Sequence, residues 1–206
     1  GYRPLGEEGG EAFTNAWAAA VQQAVESLQA SPFGFSALII DPFFANEGFP
    51  DLPDGFLRKA AAIVKKAGGL LICDEVQPGF GRTGTHMWGH QRAGVVPDVV
   101  TLGKPMGNGH PIGGVVANSE TLNAFRKAFR YFNTFGGNPV SCAAAMAVLD
   151  VLEDERLVEN ARVVGDHAQA GLRKLADKHD IIGNVRGSGL FFGCELVLDK
   201  KTKEPA

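Results

Sequence analysis

The sequence predicts an α/β fold, a mainly parallel sheet covered by helices, and three observations carry that prediction. Short apolar runs at 36–40, 70–73, 99–102 and 112–117 have the length of strands rather than helices. The first two are each preceded by a longer stretch whose apolar residues recur at the helical period, and such alternation argues for parallel strands buried on both faces. Two of the runs hand over to a charged residue, Asp74 and Lys104. In an open α/β sheet, the ends of the strands are where ligands bind.

Taken in order, residues 1–10 are polar and glycine-rich and read as a loop. Over 11–30, Phe13, Trp17, Ala20, Val21, Ala24 and Leu28 share one helical face, and Ser31-Pro32 ends that helix. The strand over 36–40 exits at Asp41-Pro42, and Gly48, Pro50, Pro53 and Gly55 punctuate a loop over 43–55. Asp54 reads as the cap of a second helix that runs through Ala67, with Leu57, Ala60, Ala61 and Val64 inward and Gly68 at C′. Between the strands at 99–102 and 112–117 there is no room for a crossover helix, so one of these two is expected to run antiparallel. A helix over 119–130 would turn Leu122, Phe125 and Phe129 inward. Asn138-Pro139 suits an N-cap and first helical residue, and the helical pattern continues to about Lys178 with a break near Asp154. Residues 183–197 read as a turn and one strand.

Composition excludes several function classes. Charged residues are 21% and hydrophobic ones 45%, ordinary for a globular chain, and the net charge of −3 comes without a basic stripe, so no nucleic-acid partner is expected. Arg126, Lys127 and Arg130 read as a solvated helix face. Cys73, Cys142 and Cys194 are odd in number, far apart and in apolar settings, so they are expected to be buried free thiols in a reducing, cytoplasmic compartment, with no metal site. No apolar run approaches the ~18 residues of a membrane span. No signal peptide is read in these residues, and the start at Gly1-Tyr2-Arg3-Pro4, without a Met, reads as the middle of a longer chain.

The apolar run before Asp74-Glu75 also occurs in P-loop ATPases, but that reading needs G-x-x-x-x-G-K-[ST]. Here Gly103-Lys104 is followed by Pro105, and position 98 is Asp. Gly107 and Gly109 make no dinucleotide fingerprint, because Ile112 stands at the third glycine position and Pro111 precedes it. His86 and His90 are spaced for one helical turn, yet Gly89 and the surrounding loop make them surface or loop histidines rather than a metal pair. For Lys104 two readings stand. A lysine at the end of a buried strand can snorkel to the surface. Alternatively, desolvation lowers its pKa and makes it a nucleophile towards carbonyls. Pyridoxal phosphate enzymes use such a lysine together with an acid on the pyridine nitrogen, and Asp74 is placed for the second role.

The flanking residues carry a specific resemblance. Asp74-Glu75-Val76-Gln77-Pro78-Gly79-Phe80-Gly81-Arg82-Thr83-Gly84, Pro97-Asp98-Val99-Val100-Thr101-Leu102-Gly103-Lys104 and Gly109-His110-Pro111-Ile112-Gly113 closely resemble the class III aminotransferases, from about Ser36 to Leu196. The resemblance implies pyridoxal 5'-phosphate on a fold-type-I scaffold. It implies transfer of an amino group from a small-molecule donor to a keto acid acceptor. Lys104 would be the catalytic lysine, forming a Schiff base and then moving the α-proton. Asp74 would pair with the pyridinium nitrogen, Val76 would pack on the ring and Gln77 would lie near the phenolic oxygen. Thr134, in Asn-Thr-Phe-Gly-Gly-Asn, matches a threonine that reaches the phosphate of the partner subunit's cofactor, which implies a homodimer with shared sites. Arg186, in Val-Arg-Gly-Ser-Gly-Leu, reads as structural.

The implied division is 1–137 for the C-terminal half of the cofactor-binding large domain, 138–178 for a connecting helix and 179–206 for the beginning of a small α+β domain. Asp41-Pro42 stands where the family usually has Glu-Pro, the glycine-rich stretch after it is replaced by Phe43-Phe44-Ala45-Asn46-Glu47-Gly48, and Pro78 stands where Thr is frequent. The form Gly107-Asn108-Gly109-His110-Pro111 looks most like the branch of alanine–glyoxylate transaminases and amino-alcohol phosphate lyases. A lyase acting on a phosphorylated amino alcohol is therefore the nearest rival, and a silent folding or association unit is the alternative of another class. The family's phosphate-cradling turn and ring-stacking aromatic are not found in residues 1–35, and its carboxylate-binding arginine would lie beyond Ala206. The chain is thus expected to be a fragment of a longer subunit.

Overall fold

A computed structural model describes residues 10–50 and 52–206; the loop expected over 1–10 falls outside them except for Gly10. The chain runs α1 (Gly10–Ala30), β1 (Ala37–Ile40), α2 (Phe56–Lys66), β2 (Leu70–Asp74), α3 (Gly89–Arg92), β3 (Val99–Leu102), β4 (Gly114–Ala117), α4 (Ser119–Ala128), α5 (Pro139–Asp154), α6 (Leu157–Ala176), β5 (Ile182–Ser188), β6 (Phe191–Asp199) and β7 (Glu204–Pro205).

The first four strands form one sheet in the order β1-β2-β3-β4. β1, β2 and β3 are parallel, and β4 returns antiparallel beside β3, pairing Thr101 with Val115. The fold is α/β with a mainly parallel sheet, and the antiparallel strand follows from the short link, which holds only a 3-10 turn at Lys104–Gly107. The core under β2 gathers Leu57, Ala60 and Ala61 of α2 with Leu71, Cys73 and Val95, and Trp17 and Val21 of α1 pack onto it. The Trp17 ring stacks on Phe56 at 3.6 Å between centroids. α1 and α2 therefore seal this flank of the sheet.

Local signals explain most boundaries. Gly68 ends α2 at φ 79, its N–H donating to the Lys65 carbonyl and that of Gly69 to the Val64 carbonyl, the paired bonds of a glycine-terminated helix. Asn138 caps α5 by accepting from Ser141 N at 2.9 Å, with Pro139 behind it. The expected helix break falls at Glu155-Arg156, where Arg156 has φ 52. Asp54, however, does not cap α2: the cap position is Gly55 at φ 81, and Phe56 N donates to the Pro53 carbonyl. The Pro53–Gly55 turn supplies the first bond and puts Gly55, not Asp54, at the cap position.

The single strand expected over 183–197 is two. β5 and β6 form an antiparallel hairpin, with Gly189 at φ 57 in the reversal between them. Tertiary packing dictates that turn. A Cβ on Gly165 of α6 would stand 2.1 Å from the Gly189 carbonyl, so helix and hairpin approach backbone to backbone. Leu190 N donates to the Arg82 carbonyl at 3.0 Å and Ser188 Oγ to the Thr83 carbonyl at 2.7 Å. The hairpin is stitched to the glycine-rich loop after β2.

Candidate active site

Asp74 and Lys104 stand at the C-terminal ends of neighbouring parallel strands, as the sheet rule requires. Asp74 pairs in register with Thr101. Its Oδ1 accepts from Thr101 Oγ1 at 3.1 Å and from Val76 N at 3.0 Å. No described residue donates to Oδ2. The carboxylate is thus aimed by one oxygen and leaves the other for a ligand. Thr101 carries this aim, and nothing in the sequence pointed to it beyond its place three residues before Lys104.

Lys104 follows the buried Gly103 and has φ 30, a left-handed backbone that costs a non-glycine residue energy. Its side chain is exposed, without ion pair or hydrogen bond among the described residues. The desolvation expected for this amine is therefore not supplied by these residues; the strand end on which it sits is open. Val76 stands beside it: a Cβ on Gly103 would lie 3.5 Å from both Val76 methyls. Gln77 Nε2 donates to Asn46 Oδ1 at 2.8 Å, which ties the turn after β2 to the divergent loop after β1. That loop is shaped by Asp41, whose oxygens accept from Phe43 N and Ala45 N. Burial raises the Asp41 pKa above the usual carboxylate range, against those two bonds.

Behind the turn lies a residue pair whose partnership the sequence did not suggest. Glu75 is fully buried, and its carboxylate accepts from Gly89 N at 2.8 Å, His90 N at 2.7 Å and His90 Nδ1 at 2.8 Å. His90 is thus no surface histidine: its ring is largely covered because a buried carboxylate needs donors. The His86 ring lies 3.1 Å from Thr85 Oγ1, its carbonyl accepts from Thr83 Oγ1, and the residue is exposed, as expected. The thiols differ as well. Cys73 is buried, and burial, reinforced by Glu75 and Asp41, pushes it up to about 12. Cys142 and Cys194 are exposed rather than buried, because both lie on element faces that the described residues leave uncovered.

Thr134 is not brought to this pair. It sits in an exposed loop in which Phe135 N and Gly136 N both donate to Asn133 Oδ1, and its hydroxyl has no described partner. One bridge links its neighbourhood to the lysine turn: His110 Nε2 lies 2.8 Å from Ser141 Oγ, which accepts from Asn138 Nδ2 at 2.9 Å. Arg186 is buried, its Nε donating to the Gly48 carbonyl and its Nη1 pairing with Glu195 at 3.1 Å, which supports a structural role.

Comparison with known proteins shows the family of the chain. The family described as Aminotransferase class-III matches residues 4–206. An Alanine–glyoxylate aminotransferase 2 homolog 2, mitochondrial, from Arabidopsis thaliana is 52% identical over 159 residues, 77% of this chain and 33% of that protein. An Ethanolamine-phosphate phospho-lyase homolog 1 from Caenorhabditis elegans is 41% identical over 90% of this chain and 40% of its own length. The solved structure of a phospholyase from Arthrobacter in complex with phosphoethanolamine superposes with a TM-score of 0.93 at 44% identity, covering 98% of this chain and 48% of that one. The chain spans between a third and a half of the length of the relatives it matches.

Proposed function

Since the chain belongs to the class III aminotransferase family, we propose that it supplies the acid-and-lysine part of a pyridoxal 5'-phosphate site in an aminotransferase, moving an amino group from a small-molecule amine or amino acid to a keto acid. The observation that carries this reading is Asp74 held by Thr101 and the Val76 amide at one strand end, with Lys104 at the next. The residues fit the group. Asp74 Oδ2 takes no described donor, the Lys104 amine has no described partner, and Gly103 leaves room beside Val76.

When bound, the cofactor supplies an electron sink for the carbanion that follows loss of the α-proton. Asp74 would hold the proton on the pyridine nitrogen, and Thr101 keeps its carboxylate pointed there. Lys104 would hold the cofactor through its aldehyde carbon, and its Nζ would be the base that moves the α-proton. Val76 would lie against the ring. Gln77, which spends one N–H of its amide on Asn46, would lie near the phenolic oxygen with the other.

Thr134 would reach the phosphate of a partner subunit's cofactor in a homodimer with shared sites. Its exposed hydroxyl and the exposed Phe132 and Phe135 around it support that reading. The same reading assigns 1–137 to the large domain, 138–178 to the connecting helix and 179–206 to the small domain, in keeping with the separate β5-β6-β7 sheet. No described helix is long and apolar enough to cross a membrane. Three unpaired thiols support a reducing compartment, which we take to be the cytoplasm; the name of the Arabidopsis relative makes the mitochondrion the competitor.

The Gly107–Pro111 form and the similarity to the phospholyases support a second reading, elimination from a phosphorylated amino alcohol. Addition of pyridoxal phosphate, borohydride reduction and peptide mapping tests the site: the expected adduct is on Lys104, and a chain with none there does not hold the cofactor as proposed. Assays of the whole enzyme with alanine and glyoxylate, against phosphoethanolamine, then separate transfer from elimination.

A further inference from the structure

We infer that Glu75, locked by His90, is a positioning residue that sets the direction of the Asp74 carboxylate. The inference rests on the reading of Asp74 as the acid that faces the cofactor nitrogen. Glu75 lies between Asp74 and Val76, and all of its polar groups are engaged. Its N–H donates to the Thr101 carbonyl at 3.0 Å and its carbonyl accepts from Gly79 N at 3.1 Å. Oε2 accepts from Gly89 N, and Oε1 from His90 N and the His90 ring. Both oxygens already take backbone donors, so the imidazole Nδ1 is the protonated nitrogen.

The arrangement joins three separate segments at one residue. Thr101 is held twice, its carbonyl by Glu75 N and its hydroxyl by Asp74 Oδ1. The peptide on each side of Glu75 therefore keeps one orientation, and the Val76 N–H that donates to Asp74 Oδ1 keeps its aim as well. A Cβ on Gly79 would stand 2.6 Å from the Glu75 carbonyl oxygen and 3.1 Å from the Trp88 ring, so the turn closes tightly over the buried carboxylate. A buried carboxylate tolerates this place only with its donors in position. Removing one donor leaves an uncompensated acceptor beneath the turn, and that cost falls on the bonds that hold the turn.

The test uses the full chain with Glu75→Gln, His90→Ala and His90→Asn. In the asparagine variant, an amide N–H can stand where Nδ1–H stood. Amide hydrogen exchange is read residue by residue, and pyridoxal phosphate affinity by absorbance titration. Glu75→Gln and His90→Ala are each expected to speed exchange over 75–79 by about 10-fold or more, the loss of a bond to a charged group, with α2 and β1 unchanged. Affinity is expected to fall in parallel, and His90→Asn to recover most of both. Unchanged exchange at Val76 and Gly79, a uniform rise across the sheet, or equal behaviour of the two His90 variants overturns the inference. A wild-type chain that binds no pyridoxal phosphate overturns the functional reading instead, and the exchange comparison still decides the clamp.

Discussion

From Asp74 to Phe80 no residue is exposed, whereas from Phe129 to Gly137 every residue is. The first segment is held by strand register, by Thr101, by the Glu75–His90 pair and by Asn46, all within the chain. The second is ordered mainly by local bonds, from Asn133 and the neighbouring Asn138 and by ring contacts of Phe125 with Phe129 and Tyr131, and it presents Tyr131, Phe132 and Phe135 to solvent. On the proposed reading, rigid aim belongs where one charge must keep one direction, and an exposed apolar loop suits a surface that a partner covers. The same contrast divides the sheet. α1 and α2 seal β2, but β3, β4 and α4 border an open groove of about 1110 Å³. Leu122, Phe125 and Phe129, expected to face inward, line that groove and are exposed to solvent.

The sharpest way to break the comparison is to cut both segments alike. Leu71→Ala, beneath the pinned turn and fully buried, should cost about 2–5 kcal/mol in urea unfolding, while Phe132→Ala should stay within about 0.5 kcal/mol. Similar losses would dissolve the distinction. Thiol chemistry gives the next effect. With its pKa pushed from 9.0 up to about 12, Cys73 should react with a disulfide reagent at pH 8 about 10³-fold more slowly in the folded chain than in the unfolded one. The unfolded chain loses that proton near 9.0 and the folded one keeps it, so this contribution is complete below pH 9 and is lost as pH climbs towards 12. Unfolding midpoints of wild type and Cys73→Ala across that range would show it.

Asp74→Asn should lower turnover of the whole enzyme by about 10- to 100-fold, the worth of a charge-assisted bond, with the unfolding midpoint little changed; wild-type turnover would remove the acid from the site. Asn138→Ala removes a cap and should cost about 1 kcal/mol. Thr134→Ala should leave stability within about 0.5 kcal/mol but weaken pyridoxal phosphate binding in the dimer, so unaltered affinity would detach this loop from the site.

How much of this was legible follows from how local each signal is. Gly68, the Asn138-Pro139 pair and the antiparallel β4 were readable because each is decided within a few residues, by a left-handed cap, a side-chain acceptor or a link too short for a helix. Asp54 misled because Asp is a good cap in general, and only the Pro53–Gly55 geometry shows that the first bond is already made. The β5–β6 hairpin was missed because its turn is dictated by Gly165 of α6, not by neighbours in sequence. His90 looked idle because its partner lies fifteen residues earlier, at a strand end.

The sequence by itself determined the four strands of the first sheet, the long helices and the place of an acid and a lysine at adjacent strand ends, since periodicity and punctuation are properties of short stretches. The tertiary structure alone decided where Asp74 points, because Thr101 is 27 residues away and meets it only through strand register. It alone decided that Glu75 is buried with three donors while Lys104 and Thr134 stand open. Burial and hydrogen-bond satisfaction are sums over everything that surrounds a group, and a linear sequence names the groups without saying which will surround which.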